Sequence, residues 1–234
     1  VIGTQNVIQA ALYNNVKKVL FASSDKAVSP INTYGATKLM AERLISAASF
    51  QKGPKSIVFA SVRFGNVMGS RGSVIPLFKK QITEQRMVTV TDLNMTRYMM
   101  TPMQAISLMM EANRLSLGGE VFVLKMPIVK LSDLVDVLIE SYQTRGDVSK
   151  PVRILETGPR PGEKFDEELM TLDETKSALD TSYMYVIPPI YGQRQNAEYY
   201  NHAVRLSVDE HYVPNEQITK DKLKLWLERE GILD

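Results

Sequence analysis

The chain has 234 residues, 44% of them hydrophobic, which is enough for one large domain or a domain and a half built around a real core. Its 28 basic residues nearly cancel its 26 acidic ones, and a net charge of +2 excludes a general attraction to nucleic acid or to an anionic membrane surface. The lack of cysteine excludes disulfides, thiolate metal sites and a cysteine nucleophile, and the two histidines, His202 and His211, read as ordinary tail residues rather than metal ligands or a triad base.

Taken in chain order, apolar and polar segments alternate as in an α/β fold. "VIGTQNVIQAALYN" reads as a helix that starts at the first residue with no cap before it, an entry that suggests a fragment of a longer protein. "KKVLFAS" is a short, continuously apolar strand of the buried parallel type. "TYGATKLMAERLISAAS" has helical spacing, with Leu39, Ala41, Leu44, Ile45 and Ala48 on one side. "SIVFASVRFGNV" is the next strand and its exit, followed by a helix in "SVIPLFKKQITE", a strand in "MVTVT", a helix in "PMQAISLMMEANRL" and a strand in "EVFVLKM". "LSDLVDVLIESY" is a helix opened by Ser132 or Asp133. "VRILETGPRPGEKFDEEL" reads as a strand, a loop and a helix. "KDKLKLWLEREGIL" is an amphipathic helix expected to dock through Leu223, Leu225, Trp226 and Ile232. Met99, Met100, Met103, Met109 and Met110 read as core filling. No apolar run approaches the roughly 20 residues that span a bilayer, and no signal-peptide pattern is present, so a cytoplasmic location is expected.

Strands and helices joined by short connections imply right-handed crossovers and a doubly wound parallel sheet, in which ligands sit at the carboxyl ends of the strands. Two polar clusters fall there. "SSDKAVSPINTYGATK" follows the strand "VLFA", and "GNVMGSRG" follows "IVFASVRF". Tyr34 and Lys38 are four residues apart and share a helix face, where an ammonium beside a phenol favours the phenolate and makes it a usable base. Spacing alone is weak evidence, because Tyr13 and Lys17 repeat it. Only Tyr34 follows a strand end bearing Ser24, Asp25 and Lys26. Adjacent strand residues point to opposite faces, so Asp25 and Lys26 reach one substrate only if the strand has already turned.

These features carry a resemblance. A strand, a serine and then Y-x-x-x-K resembles the extended short-chain dehydrogenase/reductase superfamily. The strings "SSDKAVSPINTYGATKLMAE", "VRFGNVMGSRGSVIPLF" and "RPGEKFDEEL" are similar to the bacterial nucleotide-sugar 4,6-dehydratases of the inverting UDP-N-acetylglucosamine type, over most of the chain to about Leu169. The resemblance implies a Rossmann-like fold with NAD or NADP as cofactor, held in part by Tyr34 and Lys38. It also implies a UDP-sugar substrate and a homo-oligomer. By resemblance, Tyr34 with Lys38 and Ser24 takes the 4-hydroxyl proton, Asp25 is the acid at the 6-hydroxyl and Lys26 is the base at C5. The family's glycine-rich phosphate loop does not occur in this chain, which is therefore expected to bind a dinucleotide poorly by itself. An open sheet edge or exposed apolar face is expected along residues 19–22.

At the nucleotide end, Gly69 and Gly72 flank Arg71, and Ser73 stands in a capping position before a helix. Backbone amides and a guanidinium of this kind suit a pyrophosphate. Asn66 is offered to the sugar or uracil. Arg97, and Arg160 with Glu163, resemble clamps on diphosphate and ribose, the bland reading of Arg160–Glu163 being an exposed ion pair. The expected division is residues 1–70 and 95–126 as a partial dinucleotide-binding domain, with 71–94 and 127–234 as a smaller mixed α/β substrate domain and tail. Two rival readings remain. A UDP-sugar 4-epimerase shares Tyr34 and Lys38 but needs no acid–base pair for elimination. A catalytically silent NAD(P)-binding scaffold is the other, and the intact Ser24, Tyr34 and Lys38 argue against it.

Overall fold

The computed structural model describes residues 1–146, 150–190, 197–200, 203–206 and 216–233, so His202 and His211 lie outside the described residues. In chain order the elements begin α1 (Ile2–Tyr13), β1 (Lys18–Ser24), α2 (Thr33–Gln51), β2 (Val58–Phe64), β3 (Asn66–Val67) and α3 (Val74–Lys80). Then come β4 (Met87–Val90), β5 (Thr96–Met100), α4 (Pro102–Leu115), β6 (Val121–Leu124), β7 (Ile128–Lys130) and α5 (Leu131–Thr144). The chain finishes with β8 (Arg153–Glu156), α6 (Leu172–Ser177), β9 (Leu179–Asp180), β10 (Met184–Ile187), β11 (Val204–Arg205) and α7 (Lys220–Arg229).

Two compact units result. One gathers residues 1–64, 103–125 and 168–214, and the other 65–102, 126–167 and 215–234. This division differs from the sequence expectation at residues 65–70, 95–102, 126 and 168–214, the first and third being small shifts of a boundary. Residues 95–102 belong to the second unit because β5 pairs with β3 and β7 there. Residues 168–214 belong to the first because β9, β10 and β11 extend its sheet.

The first unit is built on a sheet of order β1-β2-β6-β10-β9-β11. β1, β2 and β6 run parallel, as the Rossmann-like expectation requires, and the sheet continues in antiparallel strands from β10 onward. Phe59 to Arg63 of β2 are all buried, so that strand is covered on both faces. On one side Ile8 and Ala11 of α1 meet Ile45 and Ala48 of α2 over Ile57 and Phe59. The register runs from Lys18 opposite Val58 to Ser24 opposite Phe64, so Ser24 stands at the carboxyl end of β1. Among the described residues β1 pairs on one side only, with β2, which makes it a sheet edge. The open edge expected along residues 19–22 is present, and Val19, Leu20 and Phe21 are only partly buried.

The second unit holds the β3-β5-β7 and β4-β8 sheets around a core from α3, α5 and α7. α7 docks through Leu223, Trp226 and Leu227, three positions on one helical face, with Leu233 buried just beyond the helix. Leu225, expected in that interface, is 66% exposed, because its position in the turn points away from the face that 223, 226 and 227 define. Neither Ser132 nor Asp133 caps α5. Its N-cap is Lys130, and the amides of Leu131 and Ser132 donate to the carbonyls of Met95 and Leu93. No helix forms at 165–169 either. The Asp166 and Glu163 carboxylates and the Phe165 carbonyl are drawn to Thr96 and Arg97 instead. The helix comes later, as α6, started by a capping box in which Thr171 and Glu174 bond each other's backbone amides. Of the methionines read as core, Met99 and Met100 are buried, whereas Met103, Met109 and Met110 lie on the exposed side of α4. Among the described residues no helix is long and apolar enough to cross a membrane.

Candidate active site

β1 ends at Ser24, and Asp25 to Ala27 form a 3-10 turn. That turn removes the alternation of a strand and brings two neighbouring side chains together. Lys26 Nζ lies 3.1 Å from Asp25 Oδ1. The same oxygen accepts from Ser24 Oγ at 2.7 Å and from the Lys26 amide at 2.9 Å. Ser24 Oγ in turn accepts from the Lys26 amide at 3.2 Å, which caps the turn. Asp25 is 1% exposed, and its second oxygen, Oδ2, is buried with no protein partner. A buried carboxylate oxygen without a donor is unusual, and this one sits beside a lysine at a strand end.

The chain then turns at Ser29, held at φ 40° in the left-handed region, and enters α2. Asn32 caps that helix by accepting from the Gly35 amide at 2.8 Å. Tyr34, in the first turn, is 55% exposed, so its phenol is available to a ligand. Lys38 lies one turn on. Its Nζ donates to the Ala22 carbonyl at 3.1 Å and stands 5.9 Å from the Tyr34 ring centre and 5.3 Å from that of Phe21. Ser24, Asp25, Lys26, Tyr34 and Lys38 thus all belong to the first unit, at the carboxyl end of β1 and the amino end of α2. A nicotinamide dinucleotide fits this donor set, since a free hydroxyl and an ammonium suit ribose hydroxyls at the strand ends where such ligands bind.

The residues read as nucleotide contacts all fall in the second unit. Asn66 lies on β3 opposite Met99 of β5. Arg71 is exposed in the turn that follows, and Ser73 is the N-cap of α3, although its hydroxyl is buried and caps no amide. Arg97 is 7% exposed and donates to the Thr96 and Phe165 carbonyls and to Glu163 Oε1 at 3.1 Å. Glu163 therefore pairs with Arg97 and not with Arg160, which corrects the surface ion pair considered from sequence. Arg160 is exposed and engages Glu163 only through its backbone, its carbonyl accepting the Glu163 amide at 3.0 Å.

Sequence reasoning passed over Arg63. This residue is 1% exposed on β2 and donates to both oxygens of Glu42, both of Glu174 and the Leu169 carbonyl. Every guanidinium donor is used, and the two carboxylates hold the arginine well above its ordinary value despite the opposing effect of burial. An arginine inside the otherwise apolar run "VFASVRF" was the available signal, because a buried charge demands partners.

The family model described as "Polysaccharide biosynthesis protein" matches residues 1–189. An uncharacterised membrane protein of Methanocaldococcus jannaschii is 42% identical over 94% of this chain and 66% of its own. The inverting UDP-N-acetylglucosamine 4,6-dehydratase of Campylobacter jejuni is 37% identical over 80% of this chain and 53% of its own. The UDP-glucose 4-epimerase of Rickettsia conorii is 38% identical over the same shares. The chain thus spans about half to two thirds of the length of these relatives. Among solved structures, Pen from Bacillus thuringiensis is 46% identical with a TM-score of 0.85, over 98% of this chain and 67% of that one. The Thermus thermophilus UDP-glucose 4-epimerase, solved with NAD, shares the fold at 17% identity and a TM-score of 0.60, over 73% of this chain and 60% of that one.

Proposed function

Since this chain belongs to the polysaccharide biosynthesis protein family, we propose that it carries the acid–base machinery of an NAD(P)-dependent 4,6-dehydratase acting on a UDP-N-acetylhexosamine. The observation that carries this reading is the pair Asp25 and Lys26, drawn together by the turn after β1 and next to Ser24. When bound, NAD(P) would supply the acceptor for the C4 hydride and its donor to C6, with Tyr34 and Lys38 holding its ribose.

The chain's own residues handle the protons. Tyr34, with Lys38 beside it and Ser24 near the sugar, takes the 4-hydroxyl proton as the C4 ketone forms. The ketone acidifies the neighbouring C5–H, and Lys26 takes that proton. Asp25 gives a proton to the departing 6-hydroxyl, which leaves as water. Its Oδ2 makes no hydrogen bond within the protein. Arg71, Arg160, Asn66 and Ser73 are assigned to the UDP moiety. Arg97 and Glu163 shape the 163–166 loop through the bonds they make to each other and to Phe165.

A UDP-sugar 4-epimerase is the second reading, favoured by the Rickettsia relative, which matches this chain as well as the dehydratase does. An epimerase has no use for an elimination base beside an acid. Lys26→Ala separates the two. With UDP-N-acetylglucosamine and NAD(P) at a concentration that saturates the unmodified protein, the variant is expected to form reduced nicotinamide without releasing the 4-keto-6-deoxy product. Wild-type rates of that product from Lys26→Ala would remove Lys26 as the C5 base, and a 4-epimer from the unmodified protein would favour the epimerase.

A further inference from the structure

Gly35 is the residue directly after Tyr34 in α2, and no side chain fits at its position. A Cβ placed on it would lie 2.2 Å from the Lys26 carbonyl oxygen and 3.0 Å from the Pro30 Cβ. The first of these is a backbone atom, so no change of rotamer relieves the overlap. Either the start of α2 or the turn that holds Asp25 and Lys26 has to move. Gly35 is also fixed from another side, since its amide is the one that the Asn32 cap receives. Gly3 in α1 differs, because a Cβ there would meet nothing within 4 Å. Glycine is unfavourable inside a helix relative to alanine, and at residue 35 the close approach of two backbones is what it permits.

We infer that Gly35 is a positioning residue, whose missing side chain sets the distance between Tyr34–Lys38 on α2 and Asp25–Lys26 on the turn. The inference rests on the proposed roles of those four groups. They serve neighbouring atoms of one sugar ring, so their spacing must match the ring, and a misplacement of about 1 Å can cost on the order of 10²-fold in rate. Gly35 touches no reacting atom. It acts by letting the helix start rest on the Lys26 carbonyl.

The full chain is tested as Gly35→Ala beside Gly3→Ala. Crystal structures of Gly35→Ala are expected to show Tyr34 displaced by about 1 Å relative to Asp25, with no such displacement in Gly3→Ala. An unmoved Tyr34 overturns the inference whether or not any sugar is turned over. Where the unmodified protein turns over a UDP-sugar, Gly35→Ala is expected to lose roughly 10²-fold in kcat with KM little changed. A kcat equal to wild type overturns the inference. Inactivity of every form with UDP-sugars counts against the proposed function instead, and the displacement of Tyr34 then decides the matter. If Gly35→Ala does not fold, the double variant Gly35→Ala/Pro30→Gly, in which the turn is freer to move aside, is expected to show the same displacement, and an unmoved Tyr34 in it is equally fatal.

Discussion

Three arginines, Arg71, Arg97 and Arg160, look alike as diphosphate ligands in sequence, and their surroundings set one of them apart. Arg71 and Arg160 are exposed. Arg97 is buried, and its donors go to two carbonyls and to Glu163. Removing it leaves a carboxylate and two carbonyls short of partners. Arg97→Ala is therefore expected to lower the unfolding free energy by about 1.5–3 kcal/mol, the range for hydrogen bonds to charged groups. Arg71→Ala is expected to stay within about 0.5 kcal/mol of the unmodified protein in stability. Its expected effect is on UDP affinity, a loss of roughly 1.5–3 kcal/mol by calorimetry. Unchanged UDP binding in both Arg71→Ala and Arg160→Ala would leave the diphosphate without its proposed arginines.

Between elements, a polar junction at Arg63 ties β2 to α2 through Glu42 and to α6 through Glu174. Burial by itself would raise the Glu174 carboxyl. The hydrogen bonds and charge of Arg63, the Thr171 amide and the Arg43 charge outweigh it and hold the group below its ordinary 4.5. A carboxyl depressed in the folded state adds stability that is fully present above its unfolded value and is lost as pH falls through the folded one. Glu174→Gln is thus expected to cost about 1.5–3 kcal/mol above pH 4.5. The gap to the unmodified protein should shrink as pH drops below that point, as read from melting temperatures across the acid range. A gap that does not change with pH would mean that the carboxylate charge contributes nothing at this junction. In α7 the same logic of position applies to apolar groups. Leu227→Ala is expected to cost about 2–5 kcal/mol and Leu225→Ala less than about 0.5, measured by denaturant unfolding.

At the scale of the whole molecule, β1 leads into the turn with the proposed acid and base and, among the described residues, has an unpaired edge along its length. Backbone groups on an open edge have no ladder partner, whereas β2 is paired on both sides, with β1 and β6. Hydrogen exchange is expected to be faster across residues 18–24 than across 58–64. Equal protection would require a second strand on β1 in solution. The chain also lacks a glycine-rich loop for a dinucleotide pyrophosphate, the part that usually supplies backbone amides to it. Tyr34 and Lys38 alone are a small share of such a site. Titration of this chain with NAD or NADP is expected to give binding weaker than micromolar, and micromolar binding would show that some other element supplies the phosphate contacts.

Local pattern was sufficient for much of this protein. Apolar runs bounded by turn residues predicted α1, β1, α2, β2, α4 and β6, because periodicity and burial are properties of adjacent residues. The Tyr34–Lys38 spacing and the strand end before it singled out the catalytic candidates for the same reason, since helix pitch alone puts those two side chains on one face. Tertiary structure decided what depended on residues distant in the chain. Glu163 chose Arg97 over its neighbour Arg160, and the carbonyls of Leu93 and Met95, not Ser132 or Asp133, receive the first amides of α5. Residues 168–214 rejoined the first unit because β10 found β6 as its partner. The side chains of Asp25 and Lys26 came together because the strand gave way to a turn at Ser24, and the depth of that turn depends on a carbonyl meeting a glycine on another element. Such contacts are fixed by which surfaces pack, and that is settled only when the whole chain has found its lowest free energy.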